Sequence, residues 1–383
     1  MSSKISLFPV GNGDMTLIET ESKRKILIDM NIRAAADDPD DETPDVVEML
    51  RDRLGRDSSD RLYVDALLIS HPDQDHCNGL SKHFHLGPPD KWSKTSDKVF
   101  IREIWSSPMV FRRASRNHVL CDDAKAFNTE ARRRVQEFRD NGSEVDDGDR
   151  IRILGEDENG KTDDLDEILV RVDETFSYIN GQYDSTMTAR LLGPLPKSDD
   201  DDEDILSKNN SSTILQFSLA GGGSSDKCRF LTGGDAEVAI WEKLWQRHYW
   251  RTEWLSYDIL LTPHHCSWHS LSYDSWSDLG EDAKVCKNAR NALSQTHSGA
   301  MIVASSNPIK DDDNDPPCIR AKREYVSIAN DDDAFKCTGE YPSEKSSDVM
   351  EFEIGSDGPR LLTALMVGGT APGIIGRQPL SHG

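Results

Sequence analysis

The apolar run YVDALLIS (63–70) stops at His71, and HPDQDH then supplies His71, Asp73, Asp75 and His76, four metal-ligand types within six positions. A strand that ends on a polar cluster holds its first ligand rigid while the following turn presents the others. Alternate residues of the turn can face one side, so His71, Asp73 and Asp75 can converge, with His76 opening the next helix. Alone, the cluster also reads as a polar turn with a helix cap at Asp75. Two later β-rich runs end in the same way: FLTGG leads into Asp235, and YDILLTP (257–263) leads into His264 and His265. Three strand ends that each deliver ligand-type residues weigh against a simple turn. Imidazole and carboxylate donors together suit Zn, Mn or Fe.

The remaining pattern is of short strands alternating with helices, which indicates an α/β layered domain. KISLFPV, the turn GNGD, MTLIE and KRKILID fill the first thirty residues. A helix is expected around 44–54, a strand at 99–105, a helix at 121–140, a strand at 150–154 and another segment at 189–196. A second β series follows at 212–219 and 228–237, then a helix at 236–250 and strands at 257–263 and 299–307. One domain is expected over 1–366, with acidic, irregular insertions within 80–208. The Gly/Pro-rich stretch 367–383 reads as a flexible tail.

The formal net charge is −24, concentrated at 37–45, 199–204 and 311–315. Such runs are solvated loops or a docking surface for a basic partner. They oppose non-specific binding of nucleic acid, whose phosphates need Lys and Arg, but leave room for a local basic groove. ARRRVQEFR (131–139) and FRRASR (111–116) are the segments able to form one. Seven cysteines without a CxxC pair fit reduced thiols in a cytoplasm. The N-terminus has no charged segment leading into an apolar run, and no window is apolar enough to span a membrane.

Taken as an ordered set, HPDQDHCNG, FLTGGDAE and TPHHCSWHS resemble the second, fourth and fifth motifs of the metallo-β-lactamase superfamily. They look most like its ComEC-type competence-protein branch, with HxDxDHxGG, LTGDxE and PHHGS. PVGNGDMTLIE, KILIDMN, RLLGPLP and NNSSTILQF are similar to further segments of that branch. The resemblance implies an αββα sandwich with an enlarged insertion between the second and third motifs. It also implies a two-metal site. His71 and Asp73 would bind one ion, Asp75, His76 and His264 the other, and Asp235 would bridge them. Many relatives have His at the position of Asp73 and another near Asn209 or Asn210. Their loss makes the first shell oxygen-rich and favours Mn or Mg beside Zn.

By the same resemblance, Asp75 would orient a water activated by two divalent ions. His265 would contact a phosphate, protonate the leaving group, or brace a ligand through a hydrogen bond. Asp14 and Asp29 are expected to support the ligand loops, and His269 is an ordinary loop residue or a peripheral site group. The leading expectation is a phosphodiesterase or nuclease acting on DNA, as an effector in bacterial antiviral defence with a protein partner at its acidic loops. The alternatives are hydrolysis of a small nucleotide, cyclic nucleotide or lactone, and a weakly active regulatory or binding subunit. Departures from the branch are Cys266 where it has Gly, the extra Gly of TGGD, and SSNPIKDDDNDPP without the late His.

Overall fold

Along Lys25–Ile28 and Tyr63–Ile69 the apolar side chains point alternately to two different cores, so both faces of the sheet they build are covered. Ile26, Ile28, Ala66 and Leu68 face one way, and Leu27, Val64, Leu67 and Ile69 the other. Near-continuous apolar runs of this kind belong to parallel strands buried on both sides. Lys25–Ile28, Tyr63–Ile69, Phe100–Ser106 and Arg150–Leu154 are accordingly parallel neighbours. The computed structural model describes residues 2–38, 40–111, 119–157, 160–196 and 208–362.

Two large sheets form among these residues, of nine and seven strands. In the first, the strands above are flanked by Thr16–Glu19, Ser3–Leu7 and Met350–Gly355, all antiparallel to their neighbours. In the second, Met187–Gly193, Ile214–Gly221 and Ser224–Thr232 are antiparallel, and Tyr257–Leu261, Thr296–Ala304 and Phe335–Cys337 continue in parallel. Ile5, Ile18 and Leu68 of the first sheet meet Leu215, Phe217, Phe230 and Ile259 of the second in one core.

A second core lies between the first sheet and the helices Val46–Arg51 and Asp122–Asn141, through Leu50, Phe127 and Val135. A third lies between the second sheet and the helices Val238–His248, Lys287–Leu293 and Ile319–Ala329, through Trp241, Leu293 and Tyr325. The layering is therefore helix, sheet, sheet, helix.

The stretch 80–208 supplies strands to both sheets, Phe100–Ser106 and Arg150–Leu154 to one and Met187–Gly193 to the other. The acidic run 199–204, most of FRRASR and the tail 367–383 lie outside the described residues. Asp45, from the first acidic run, caps the helix Val46–Arg51 by accepting from the backbone N–H groups of Val47 and Glu48. The alternating MEFEIG (350–355) pairs with the N-terminal strand, a long-range partnership absent from the sequence reading.

The arginines of the helix Asp122–Asn141 divide: Arg134 is buried and Arg133 half-buried, whereas Arg132 and Arg139 are exposed. Arg134 is fully buried, with Nε 2.8 Å from Glu130 and its Nη atoms on the carbonyls of Ile101, Arg102 and Arg150. Arg133 reaches Glu130 and Asp149, Arg132 donates to the Val110 carbonyl, and Arg139 holds Asp164. Removing one partner of a buried pair leaves an uncompensated charge, at about 3–5 kcal/mol. Glu130→Ala should lower the unfolding free energy by about that amount in urea titrations, while Glu130→Gln retains part of it.

Candidate metal centre

The site sits where strands of both sheets reach their C-terminal ends, the usual place for a ligand crevice in α/β folds. Tyr63–Ile69 runs into His71, Ser224–Thr232 into Asp235, Tyr257–Leu261 into His264 and His265, and Lys25–Ile28 into Asp29. Asp14 enters from the GNGD turn. Gly13 lets that turn close on the ligand helix: its φ is +149°, and a Cβ there would lie 2.7 Å from the Asp75 carbonyl. The Asp14 N–H donates to the same carbonyl at 3.4 Å.

Asp235 is at the centre, and its two oxygens face different histidines. Oδ1 lies 2.9 Å from His76 Nε2 and 3.4 Å from His265 Nε2. Oδ2 lies 3.7 Å from both His71 Nε2 and His264 Nε2. On the Oδ1 side, His265 also approaches Asp14 and Asp75, each at 3.4 Å. On the Oδ2 side, Asp73 stands 3.8 Å from His71. The tightest set of donors is Asp14, His76, Asp235 and His265, all buried, with ligand atoms within 4.8 Å of one another.

This grouping differs from the one implied by the resemblance. His264 shares an Asp235 oxygen with His71, whereas His265 joins His76, and Asp14 belongs to the cluster itself. The exchange has a backbone cause. His264, His265 and Cys266 all take left-handed φ angles, 52°, 52° and 67°, which turns successive side chains to unexpected faces. Each such residue costs about 1–2 kcal/mol. The turn is pinned by backbone bonds from His264 N to the Gly234 carbonyl and from Cys318 N to the Cys266 carbonyl, both 3.0 Å. Cys266 holds a left-handed φ that Gly adopts without strain.

Second contacts fix the ring orientations. Asp29 Oδ2 is 2.8 Å from His76 Nδ1, and Asp29 also accepts from Ser70 N and Ser70 Oγ at 2.6 Å each. His71 Nδ1 lies 3.1 Å from Ser70 Oγ and 3.3 Å from Ser212 Oγ. Ser212 Oγ accepts from the Asp235 N–H at 3.1 Å. Ser70 and Ser212 were not singled out from sequence; their flanks, LLIS and NNSST, gave the only signal. Gly234, the extra residue of TGGD, has φ +47°, and a Cβ there would come within 2.8 Å of Ser70 Oγ. Asn209 and Asn210 hold Glu237, through its carboxylate and its N–H respectively, and do not reach the donors. His269 is half exposed, 3.8 Å from Asp315.

The donor atoms point at shared space more than at one another. Asp14 Oδ1, His71 Nε2, His76 Nε2, Asp235 Oδ1 and His265 Nε2 are buried without hydrogen-bond partners. Even the 2.9 Å approach of His76 to Asp235 is not aligned as a hydrogen bond. Each orphaned polar group costs about 1–3 kcal/mol, so their convergence calls for a common partner. Mixed imidazole and carboxylate donors, with a carboxylate holding one oxygen toward each half, fit one or more divalent cations.

Burial and charge divide the cluster's titrating groups, raising the pKa of two histidines and lowering that of the third and of two carboxylates. Burial disfavours a charged His265, but Asp235, Asp14 and Asp75 outweigh it and push its pKa up to about 10. Burial likewise opposes charge on His76, and Asp235 and Asp29 raise its pKa. His71 is lowered, by burial and then by His76. Burial works against ionised Asp75 and Asp235, yet the neighbouring histidines hold both below the usual carboxylate range. Asp75 is 40% exposed, Asp73 22% and His264 17%, so solvent enters on their side.

No protein-family model and no curated protein matches the chain. Among solved structures, an isothiocyanate hydrolase from Delia radicum gut bacteria is similar at 13% identity and TM-score 0.39, covering 91% of this chain and 98% of that one. Igni18, a metallo hydrolase from the archaeon Ignicoccus hospitalis, is similar at 10% identity and TM-score 0.38, with the same coverage. Likeness at that level bears on neither reaction nor substrate.

Loading an ion displaces protons from His76 and His265, so apparent affinity rises with pH. Calorimetry in buffers of different ionisation enthalpy should show proton release on binding at pH 7, and weaker binding at pH 6 than at pH 8. Asp29→Asn keeps a residue that tolerates the left-handed backbone but removes the charge behind His76. Ion affinity should fall by about 10–100-fold, accompanied by a lower urea midpoint in the protein without added ion.

Proposed function

We propose that the chain is a metal-dependent hydrolase of the metallo-β-lactamase-like superfamily that cleaves a phosphodiester of nucleotide size. The observation that carries the hydrolase reading is the convergence of buried, unpartnered donors on both sides of Asp235. His76, His265, Asp14 and Asp75 would hold one divalent ion and His71, Asp73 and His264 another, with Asp235 common to both. Mn and Zn both suit such donors, and the carboxylate-rich composition keeps Mg open. Such ions supply Lewis acidity and make a water acidic enough to attack near neutral pH.

The chain's own residues divide the remaining work. Asp75 is held ionised at the solvent edge, so its carboxylate can orient a water by accepting a hydrogen bond from it, but cannot donate a proton. His265 is sealed among carboxylates, which suits a ligand better than a leaving-group acid, a phosphate contact or a brace, the three roles open from sequence.

A small substrate is favoured over duplex DNA. A cleft of about 450 Å³ opens beside the GNGD turn, lined by Asn12, Asn307, Lys310, Asp312 and Asn314. That volume lies in the range of small-ligand sites. Asp315 accepts from Trp268 N at 3.0 Å, and Pro316 accepts from Asn12 Nδ2, so the acidic loop is fastened at this face. Of the arginines of 131–139, a segment able to form a basic groove, Arg133 and Arg134 are committed to carboxylates and carbonyls, and Arg132 and Arg139 are exposed beside Lys161. The wider DNA-nuclease and defence-effector reading rests on the resemblance.

Purified protein should be assayed with Mn, Zn or Mg against bis-p-nitrophenyl phosphate, cyclic dinucleotides, single-stranded oligonucleotides and plasmid. The expected result is metal-stimulated hydrolysis of small diesters, abolished by chelation and lowered about 10²–10⁴-fold in Asp75→Asn. Preference for plasmid would replace the small-substrate reading with the nuclease one. Hydrolysis that persists in Asp235→Asn would overturn the assignment of the site.

A further inference from the structure

Cys77 follows His76 directly, and its Sγ lies 3.7 Å from Sγ of Cys121, two free thiols brought together from elements 44 residues apart. Cys77 sits at the end of the ligand helix Gln74–Cys77 and donates to the Asp73 carbonyl at 3.0 Å. Cys121 is the N-cap of the 20-residue helix Asp122–Asn141, where its sulfur accepts from Ala124 N at 3.3 Å. A helix N-terminus stabilises a thiolate, the form that reacts with peroxide. Cys121 is half-buried and Cys77 fully buried, which gives the reaction an order.

We propose that Cys77 and Cys121 form a reversible disulfide under peroxide and thereby couple the redox state of the chain to its metal centre. The Cys121 thiolate attacks one oxygen of hydrogen peroxide, forming an S–O bond and breaking O–O, and hydroxide leaves to take up a proton as water. The Cys77 thiol then attacks the sulfenic sulfur. The S–S bond forms, S–O breaks, and the Cys77 proton leaves with the hydroxyl as a second water. Peroxide is reduced by two electrons drawn from the two sulfurs, and a dithiol reductant reverses the bond. The Ala124 N–H on its sulfur favours the thiolate form of Cys121.

The bond would pull on the ligands. The sulfurs must close from 3.7 Å to roughly 2.0 Å, and Cys77 must give up its bond to the Asp73 carbonyl. The ligand segment is held on both sides, so the movement is not absorbed by a loose loop. Met30 and Asn31 bridge to Cys77 and Asn78, while Asp123, in the first turn behind Cys121, accepts from Gly79 N and Ser81 N. A shift of a few tenths of an ångström at His76 is enough to change its distance to Asp235. The disulfide itself needs no ion; only its effect on ion content rests on the metal-centre reading.

The test treats the whole protein with hydrogen peroxide, then applies non-reducing digestion and mass spectrometry together with metal analysis. The expected result is one linked peptide pair joining Cys77 to Cys121, two thiols fewer, and full reversal by dithiothreitol. Cys121→Ser, which keeps a helix cap, should abolish the link, and Cys228→Ser should leave it intact. A different linked pair, or oxidation of Cys121 to sulfinic acid without a link, would overturn the proposal. Bound divalent ion should fall several-fold in the oxidised protein and not in peroxide-treated Cys121→Ser. A complete disulfide with undiminished ion content would overturn the coupling.

Discussion

Asp235 is a carboxylate sealed between two sheets, with four imidazoles directed at its two oxygens, and the rest of the site is arranged around the cost of keeping it there. A buried charge is tolerated when it is paired or binds a cation. Here protonated His76 and His265 meet that need in the absence of an ion, and an ion would meet it by displacing their protons. The backbone around Asp235 is correspondingly fixed. Gly234 brings it against Ser70 and Ser212, and the same serines orient His71. Because the donors belong to rigid strand ends from both sheets, the metal centre is also a joint between the sheets.

The overall charge of −24 looks at first incompatible with a phosphorylated substrate. Two features of the structure reduce the conflict. Several carboxylates at the site are available to metal ions, whose charge would offset theirs before substrate arrives. Many remaining acids are internal partners, such as Glu130 for Arg133 and Arg134 and Asp65 for Arg24 and Arg102.

Much of this was legible in the sequence, because strand ends are read from apolar runs and ligand types from chemistry. The strands that end before His71, Asp235 and His264 form where the apolar runs put them, and Asp29, a strand-end acid in the sequence, lies 2.8 Å from His76. The division of labour between His264 and His265 was not legible. It depends on three left-handed residues in a row, and backbone handedness leaves no mark in a PHHC string except where Gly replaces Cys266. Asp14 was read as a brace because its approach to His265 depends on Gly13 packing against the Asp75 carbonyl. The pairing of MEFEIG with the N-terminal strand was missed for another reason: alternation shows that a strand exists but not which partner, some 345 residues away in Ser6 and Glu351, completes it.

The most direct measurement is anomalous diffraction from crystals grown with Mn and with Zn, collected on either side of each absorption edge. The account predicts a peak on each side of the Asp235 carboxylate, one shared with His76 and His265 and the other with His71 and His264. Ion-to-donor distances should be about 2.0–2.3 Å. Absence of any peak within that reach of Asp235, with ions bound only by exposed acidic loops, would contradict it.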